Sequence, residues 1–217
     1  WDSTSKKLIL ARDHFGIKPL YYYINPETRQ LVFASEIKAL LQGGVPKRIN
    51  RDALMKFLLF KYVPDEQTLV DNVFKVPAGY AIEYSQGKLT KYPFATIKET
   101  NISISEMAAV NQLQKLMEQS VADHMIADVP VGCSLSGGID SSFIAALAQQ
   151  QLKDTGETLK TFSIGFDHFS ELPHAKKVAE YIEAEHNEIF ITDAMAIKEL
   201  DKIVWYGDEP LTDPGTI

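Results

Sequence analysis

With 22 Lys plus Arg against 29 Asp plus Glu in 217 residues, the chain carries a formal net charge of −7, which excludes a basic tail or groove for nucleic acid. A hydrophobic share of 45% with 24% charged residues is the composition of a core-forming globular chain, not of a disordered, collagen-like or disulfide-scaffolded one. The length accommodates one large domain or two modest ones, at roughly 100 to 200 residues each.

Strands joined by turns are predicted over most of the first hundred residues. Residues 8–10 and 20–24 are apolar and aromatic runs separated by Asp13-His14-Phe15-Gly16, where Gly16 supplies the positive φ that a reversal needs. Residues 30–34 form a third run. Ser35 stands where a helix N-cap belongs, ahead of Ile37, Leu40 and Leu41, and Gly43-Gly44 ends that helix. Asn50 is expected to cap a second helix carrying Leu54, Phe57, Leu58 and Lys61 at helical spacing. Residues 73–84 alternate as a strand, and Ser85-Gln86-Gly87-Lys88 is a hairpin connection to residues 89–92. The tyrosines at 21 to 23 are read as strand packing in preference to base stacking, since an acidic chain offers no basic groove beside them.

The rhythm then changes. Ser103-Ile104-Ser105-Glu106 matches a capping box, and Met107, Val110, Leu113, Met117 and Val121 carry an amphipathic helix to about Ala127. Beyond it the pattern is strand (129–135), helix (139–152), strand (161–166), helix (173–183), strand (188–191) and helix (193–205). Such alternation predicts a parallel sheet covered on both faces and an α/β class overall. The polar stretch 95–103 is the expected boundary, giving domains at 1–100 and 101–217. The longest apolar stretches, such as residues 54–60, fall well short of the ~20 residues that span a bilayer. Cys133, the single cysteine, cannot form an internal disulfide, which fits a reducing, cytoplasmic setting.

Chemistry concentrates in Ser136-Gly137-Gly138-Ile139-Asp140-Ser141-Ser142, between an apolar strand and a helix. The glycines admit close backbone approach, the first-turn N–H groups point outward, and three hydroxyls add donors at the positive end of the helix dipole. That combination makes an anion cradle suited to a phosphate chain. Asp140 would repel phosphate unless a divalent cation joined them, so Mg²⁺ is the expected companion and Asp140 its ligand. The bland alternative is that Ser136 and Asp140 only cap the helix; against it, six fixed letters recur by chance in such a chain with probability on the order of 10⁻⁵. The loop lacks the Gly-Lys-Ser/Thr of a Walker A motif.

Ser-Gly-Gly-Ile-Asp-Ser-Ser resembles the pyrophosphate loop of the ATP pyrophosphatase superfamily. Ala11 to Tyr22, Phe33-Ala34-Ser35-Glu36-Ile37-Lys38-Ala39-Leu40, Phe74 to Tyr80, Thr161 to Phe166 and Asp208-Glu209-Pro210 resemble glutamine-hydrolysing asparagine synthetases, so the likeness covers nearly the whole chain. The resemblance implies a β-rich part of an N-terminal-nucleophile glutaminase sandwich, then a parallel-sheet, helix-flanked ATP pyrophosphatase domain of the adenine nucleotide alpha hydrolase type. It also implies ATP and Mg²⁺ as cofactors, with aspartate or a similar carboxylate, glutamine and ATP as substrates. The expected reaction is amidation through an acyl-adenylate. Ser136, Gly137, Gly138, Asp140, Ser141 and Ser142 would hold pyrophosphate and metal, and backbone groups of Leu135 and Ile164 would meet adenosine. No nucleic-acid or membrane partner is expected, and a homodimer is left open.

Two departures shape that expectation. The family glutaminase uses an N-terminal Cys, whereas this chain begins at Trp1, so no catalytic residue is assigned and the chain is expected to be a piece of a longer enzyme. Cys133 does not replace it, being read as a small buried residue. The family also continues into a Ser-Gly-rich acidic segment beyond residue 217. In Asp167-His168-Phe169-Ser170-Glu171-Leu172-Pro173, Ser170 stands where relatives often carry Asp, and Glu171 receives no role. Asp208 and Glu209 admit two readings, facing the acyl site or forming a solvated turn. The histidines 14, 124, 168, 174 and 186 lack zinc-ligand spacing. Alternatives to aspartate amidation are another carboxylate acceptor, such as a cell-envelope sugar acid or a β-lactam precursor, and a nucleotide-binding module without catalysis.

Overall fold

The computed structural model describes residues 1–97, 103–153, 156–166 and 170–210, in two compact units: Trp1–Thr100 with Leu200–Ile217, and Asn101–Glu199. Nine strands and six helices among these residues make a mixed α/β chain. The readings placed on Asp167, His168 and Phe169, and on residues 98–102 of the boundary, lie outside the described residues.

The first unit contains two antiparallel three-stranded sheets. One has the order β1 (Leu8–Ala11), β5 (Tyr80–Ser85), β6 (Lys88–Pro93); the other has β3 (Leu31–Ala34), β2 (Tyr21–Ile24), β4 (Val73–Lys75). Strand alternation sends Tyr22 to one face of β2 and Tyr21 and Tyr23 to the other. Tyr22 joins Leu10, Val76 and Ile82 in the layer between the two sheets, stacked on Phe74 at 5.6 Å. Tyr23 packs instead with Val73 on Ile37, Leu40 and Val45, where α1 (Ile37–Gln42) covers the second sheet. The three tyrosines are therefore packing residues.

The expected single strand over 73–84 is two strands in different sheets. Pro77-Ala78-Gly79 makes the crossing: Gly79 has φ +72°, and a Cβ there would stand 2.7 Å from the Ala95 carbonyl oxygen. Gln86 and Gly87, both at positive φ, close the predicted β5–β6 hairpin with Ser85 paired to Lys88. Asn50 caps α2 (Arg51–Phe60) as expected, its side-chain oxygen accepting from the Ala53 amide. Ser35 does not cap α1. The residue before that helix is Glu36 in extended backbone, its side chain making no cap bond, and the helix amides are taken by a carboxylate about 170 residues away.

The second unit is βαβαβ. After α3 (Glu106–His124), strands β7 (Gly132–Ser134), β8 (Lys160–Phe166) and β9 (Glu185–Ile191) pair in parallel in sequence order, joined by α4 (Ile139–Lys153) and α5 (Leu172–Ile182). The cap of α3 is Ser105, accepting from the Ala108 amide, and not the predicted Ser103; Glu106 then sits in the first turn, where a negative charge suits the dipole. Two crossovers of one hand in sequential order put both connecting helices on one face of the sheet. Thr161 and Ser163 are buried on that face, while Phe162 and Ile164 on the other remain 43% and 37% exposed. The described residues thus fully cover one face, not the two expected. Helix α6 (Asp193–Gly207) starts among residues of the second unit and ends among those of the first.

A polar bond inside this core yields a stability test. The Gln149 side-chain oxygen accepts from the Leu159 amide at 2.7 Å, and both residues are buried. Gln149→Leu leaves that N–H without its partner, so a loss of about 1–3 kcal/mol is expected as a lower urea midpoint at unchanged slope.

Candidate functional site

The loop from Ser136 to Ser142 begins where the backbone is firmly held. Leu135, 1% exposed, packs its side chain in the second unit's core; its N–H donates to the Phe162 carbonyl at 2.8 Å, and its carbonyl accepts from the Ser163 hydroxyl. A carbonyl has two lone pairs, so one acceptor position remains on Leu135. Ile164 follows on β8, paired with Ile189, with its side chain partly exposed on the uncovered face.

Beyond Leu135 the chain leaves the sheet edge and re-enters as α4. The hydroxyls of Ser136 and Ser141 are 2.9 Å apart, the Ser136 amide donates to Ser141 Oγ at 3.3 Å, and the Gly138 amide donates to Ser136 Oγ at 3.3 Å. The Ser142 amide donates to the Gly138 carbonyl at 3.0 Å, locking the first helical turn. This is a tight loop with its amides at a helix N-terminus, where anions are favoured. Asp140 lies in the first turn, exposed.

Gly137 decides the shape. Its φ is +81°, and a Cβ there would meet the Ala175 amide nitrogen at 2.6 Å and His174 carbon atoms at 2.7 Å. Only a residue without a side chain lets the loop lie against the first turn of α5. Just ahead of that turn, the Ser170 hydroxyl accepts from the Leu172 amide. The contact between the loop and α5 was not foreseen from sequence, because it joins residues almost forty positions apart with no shared local pattern.

Two features test whether phosphates and a divalent cation fit. Ser142 Oγ is buried and has no hydrogen-bond partner among the described residues, an unusual state for a hydroxyl unless a ligand completes it. At Gly138, by contrast, a Cβ would meet only the Ser136 hydroxyl, at 3.4 Å, so the backbone there is open to close approach by a ligand. No group of three His, Cys, Asp or Glu side chains is gathered for a metal among the described residues. A cation held by Asp140 would therefore draw its other oxygens from phosphates and water, as Mg²⁺ commonly does. The residues present fit the group.

Cys133 has a different setting. It lies on β7, half-buried, and lines a cavity of about 350 Å³ with Met117, Val121, Ile144 and Ala148, to which no residue from Ser136 to Ser142 contributes. Burial pushes its thiol pKa up, which suppresses the thiolate and leaves it a packing residue.

Asp208 and Glu209 do not form a solvated turn. Their side chains are 7% and 18% exposed, held against the first unit. The Asp208 carboxylate accepts from the amides of Ile37 (2.7 Å) and Lys38 (3.1 Å), and the Glu209 carboxylate from that of Leu69 (3.1 Å).

Two family models match the chain, one for a glutamine amidotransferase domain over residues 1–95 and one for asparagine synthase over residues 112–217. The chain is similar to asparagine synthetase [glutamine-hydrolyzing] 1 of Bacillus subtilis (strain 168), 38% identical over 220 residues, covering all of this chain and 34% of that protein. It is also similar to the asparagine synthetase [glutamine-hydrolyzing] of Rattus norvegicus, 28% identical over 228 residues, covering 94% of this chain and 36% of that protein. The chain spans about a third of the length of these relatives. Among the described residues, no helix is long and apolar enough to cross a membrane.

Proposed function

Since the chain belongs to the family of glutamine-hydrolysing asparagine synthetases, we propose that the protein carrying it converts aspartate to asparagine with ATP and glutamine-derived ammonia. On this reading residues 1–100 belong to the glutaminase domain, an N-terminal-nucleophile sandwich, and residues 101–217 to the synthetase domain, of ATP pyrophosphatase type. The observation that carries the reading is the open Gly138 backbone beside the orphaned Ser142 hydroxyl at the start of α4. It supports a loop that retains pyrophosphate.

Each loop residue then has a physical task. Amides of the first turn of α4 and the hydroxyls of Ser136, Ser141 and Ser142 donate to the β- and γ-phosphates, where charge grows as pyrophosphate departs. The bond between Ser136 and Ser141 gives way to bonds with phosphate oxygens. Asp140 would hold Mg²⁺, which when bound would supply positive charge to offset that of the phosphates. Leu135, just past the end of β7, and Ile164, on the neighbouring β8, contact adenosine through backbone groups, as nucleotides bind toward the carboxyl ends of such strands. The carboxylate of aspartate, a poor electrophile, becomes an acyl-adenylate that ammonia attacks.

The test is pyrophosphate release by the protein carrying this chain, over a panel of carboxylates. Aspartate is expected to stimulate release, and Asp140→Asn to lower kcat/KM by about a hundredfold or more, with Mg²⁺ demand shifted upward. No stimulation by aspartate would remove the asparagine assignment. Stimulation by a sugar acid would replace it with that acceptor, and Mg·ATP binding without turnover would leave a nucleotide-binding module.

A further inference from the structure

Helix α5 brings one more polar group to the loop than the loop motif itself contains. A carbon added to Gly137 would meet, besides the Ala175 amide, both the carbonyl carbon and the Cβ of His174, each at 2.7 Å. The His174 side chain is therefore rooted against the loop, and both residues belong to the second unit. His174 is exposed, and its imidazole has no hydrogen-bond or ionic partner among the described residues.

The lean of the ring follows from the fold. The chain runs along β8 and returns through α5 to the parallel β9, so the first turn of α5 stands at the carboxyl end of the sheet, as the loop after β7 does. In a helix the Cα–Cβ bond tilts toward the N-terminus, and long side chains lie over the preceding turn. His174 is the third residue of α5, so there is hardly a preceding turn for its ring to cover. The ring leans past the end of the helix, toward the crevice beyond the strands where ligands of such sheets bind. A donor there complements the loop. Residues 136–142 hold one carboxylate, Asp140, and no lysine, arginine or histidine, so every donor they offer is a neutral amide or hydroxyl. Imidazole donates through one ring nitrogen when neutral and through both when protonated, so it can serve an anion in either state.

We propose that His174 is a phosphate-binding residue of the nucleotide site, its imidazole donating to the pyrophosphate end of ATP beside the amides of α4. This rests on the pyrophosphate-loop reading above and adds to it a residue from another element. The experiment titrates inorganic pyrophosphate with Mg²⁺, and separately Mg·ATP, into the protein carrying this chain and into its His174→Leu and His174→Gln variants, by calorimetry. His174→Leu is expected to weaken pyrophosphate binding about tenfold, the loss of one charge-assisted bond. His174→Gln, whose side-chain amide still donates, is expected to stay within threefold of wild type. In nitrogen-15 NMR the His174 ring resonances should shift as Mg·pyrophosphate saturates the protein, and amide exchange at Gly137 and Gly138 without ligand should stay within twofold of wild type in both variants. Wild-type affinity in His174→Leu, or ring resonances that do not move, would overturn the role of His174 and leave the loop reading standing. Equal losses in both variants, or faster exchange at Gly137, would make His174 a packing residue instead. If wild-type protein binds neither Mg·pyrophosphate nor Mg·ATP, the loop reading itself fails and the role of His174 falls with it.

Discussion

Replacing Gly137 with alanine is expected to lower ATP-dependent pyrophosphate release by at least a hundredfold in the protein carrying this chain, with the first unit still folded. The positive φ alone costs an L residue roughly 1–2 kcal/mol. The larger effect is steric, because the added carbon would lie 2.6 Å from the Ala175 amide nitrogen and 2.7 Å from atoms of His174, and backbone cannot swing aside as a long side chain can. Either the first turn of α5 or the loop must move. Movement of the loop by even an ångström misdirects the amides of α4's first turn, and a misplacement of that size commonly costs about a hundredfold in rate. Calorimetric titration with Mg·ATP beside the pyrophosphate assay separates lost binding from lost chemistry. Activity within threefold of wild type, with α5 undisturbed, would show that the loop does not need its contact with α5.

Signals that are local in sequence were legible, and those that depend on distant partners were not. The Asn50 cap, the Gln86-Gly87 hairpin and the βαβ rhythm after residue 129 each rest on a few neighbouring residues, and the structure has them. The candidate loop was legible for the same reason, since two glycines and three serines between a strand and a helix state their chemistry within seven positions. Ser35 misled because a serine before an apolar helix is a sound local cap, yet the Asp208 carboxylate, charged and geometrically fixed, takes those amides. The serines at 103 and 105 offer the same cap two residues apart, so pattern alone could not choose between them. Residues 73–84 alternate throughout because the two strands face cores with the same period, and only the Pro77-Ala78-Gly79 crossing, bonded through Gly79 to the Asp13 carbonyl, separates them. Coverage of one sheet face follows from the sequential order of β7, β8 and β9, which an alternation of strand and helix does not specify.

Arg12→Ala is expected to destabilise the first unit by about 3 kcal/mol, the sum of charge-assisted bonds lost and carbonyls left unpaired. The Arg12 guanidinium donates to three backbone carbonyls: Lys18 at 3.0 Å from Nε, Val76 at 3.0 Å from Nη1 and Gly16 at 2.7 Å from Nη2. Val76 is fully buried between the sheets, so water replaces that bond poorly, whereas the carbonyls of Gly16 and Lys18 are nearer solvent. Arg12→Lys is expected to recover less than half of the loss, because a single ammonium cannot reach the positions of a planar fork. The next residue organises the other side of the turn. The Asp13 carboxylate accepts from the amides of Phe15, Ile17 and Lys18, and these bonds, led by that of Lys18, hold its pKa below the usual aspartate value. A depressed carboxylate pKa means that the contribution of Asp13 is present above the unfolded-state pKa and is lost as pH falls through the folded one. Urea denaturation followed by tyrosine fluorescence, near neutral pH and in the acid range, checks both residues. Arg12→Ala should lower the midpoint at either pH, whereas Asp13→Asn should do so near neutrality and converge on wild type once the carboxylate is protonated. A change of less than 1 kcal/mol for Arg12→Ala would mean that the turn is held by Asp13 and the strand pairing of β1 with β5 alone.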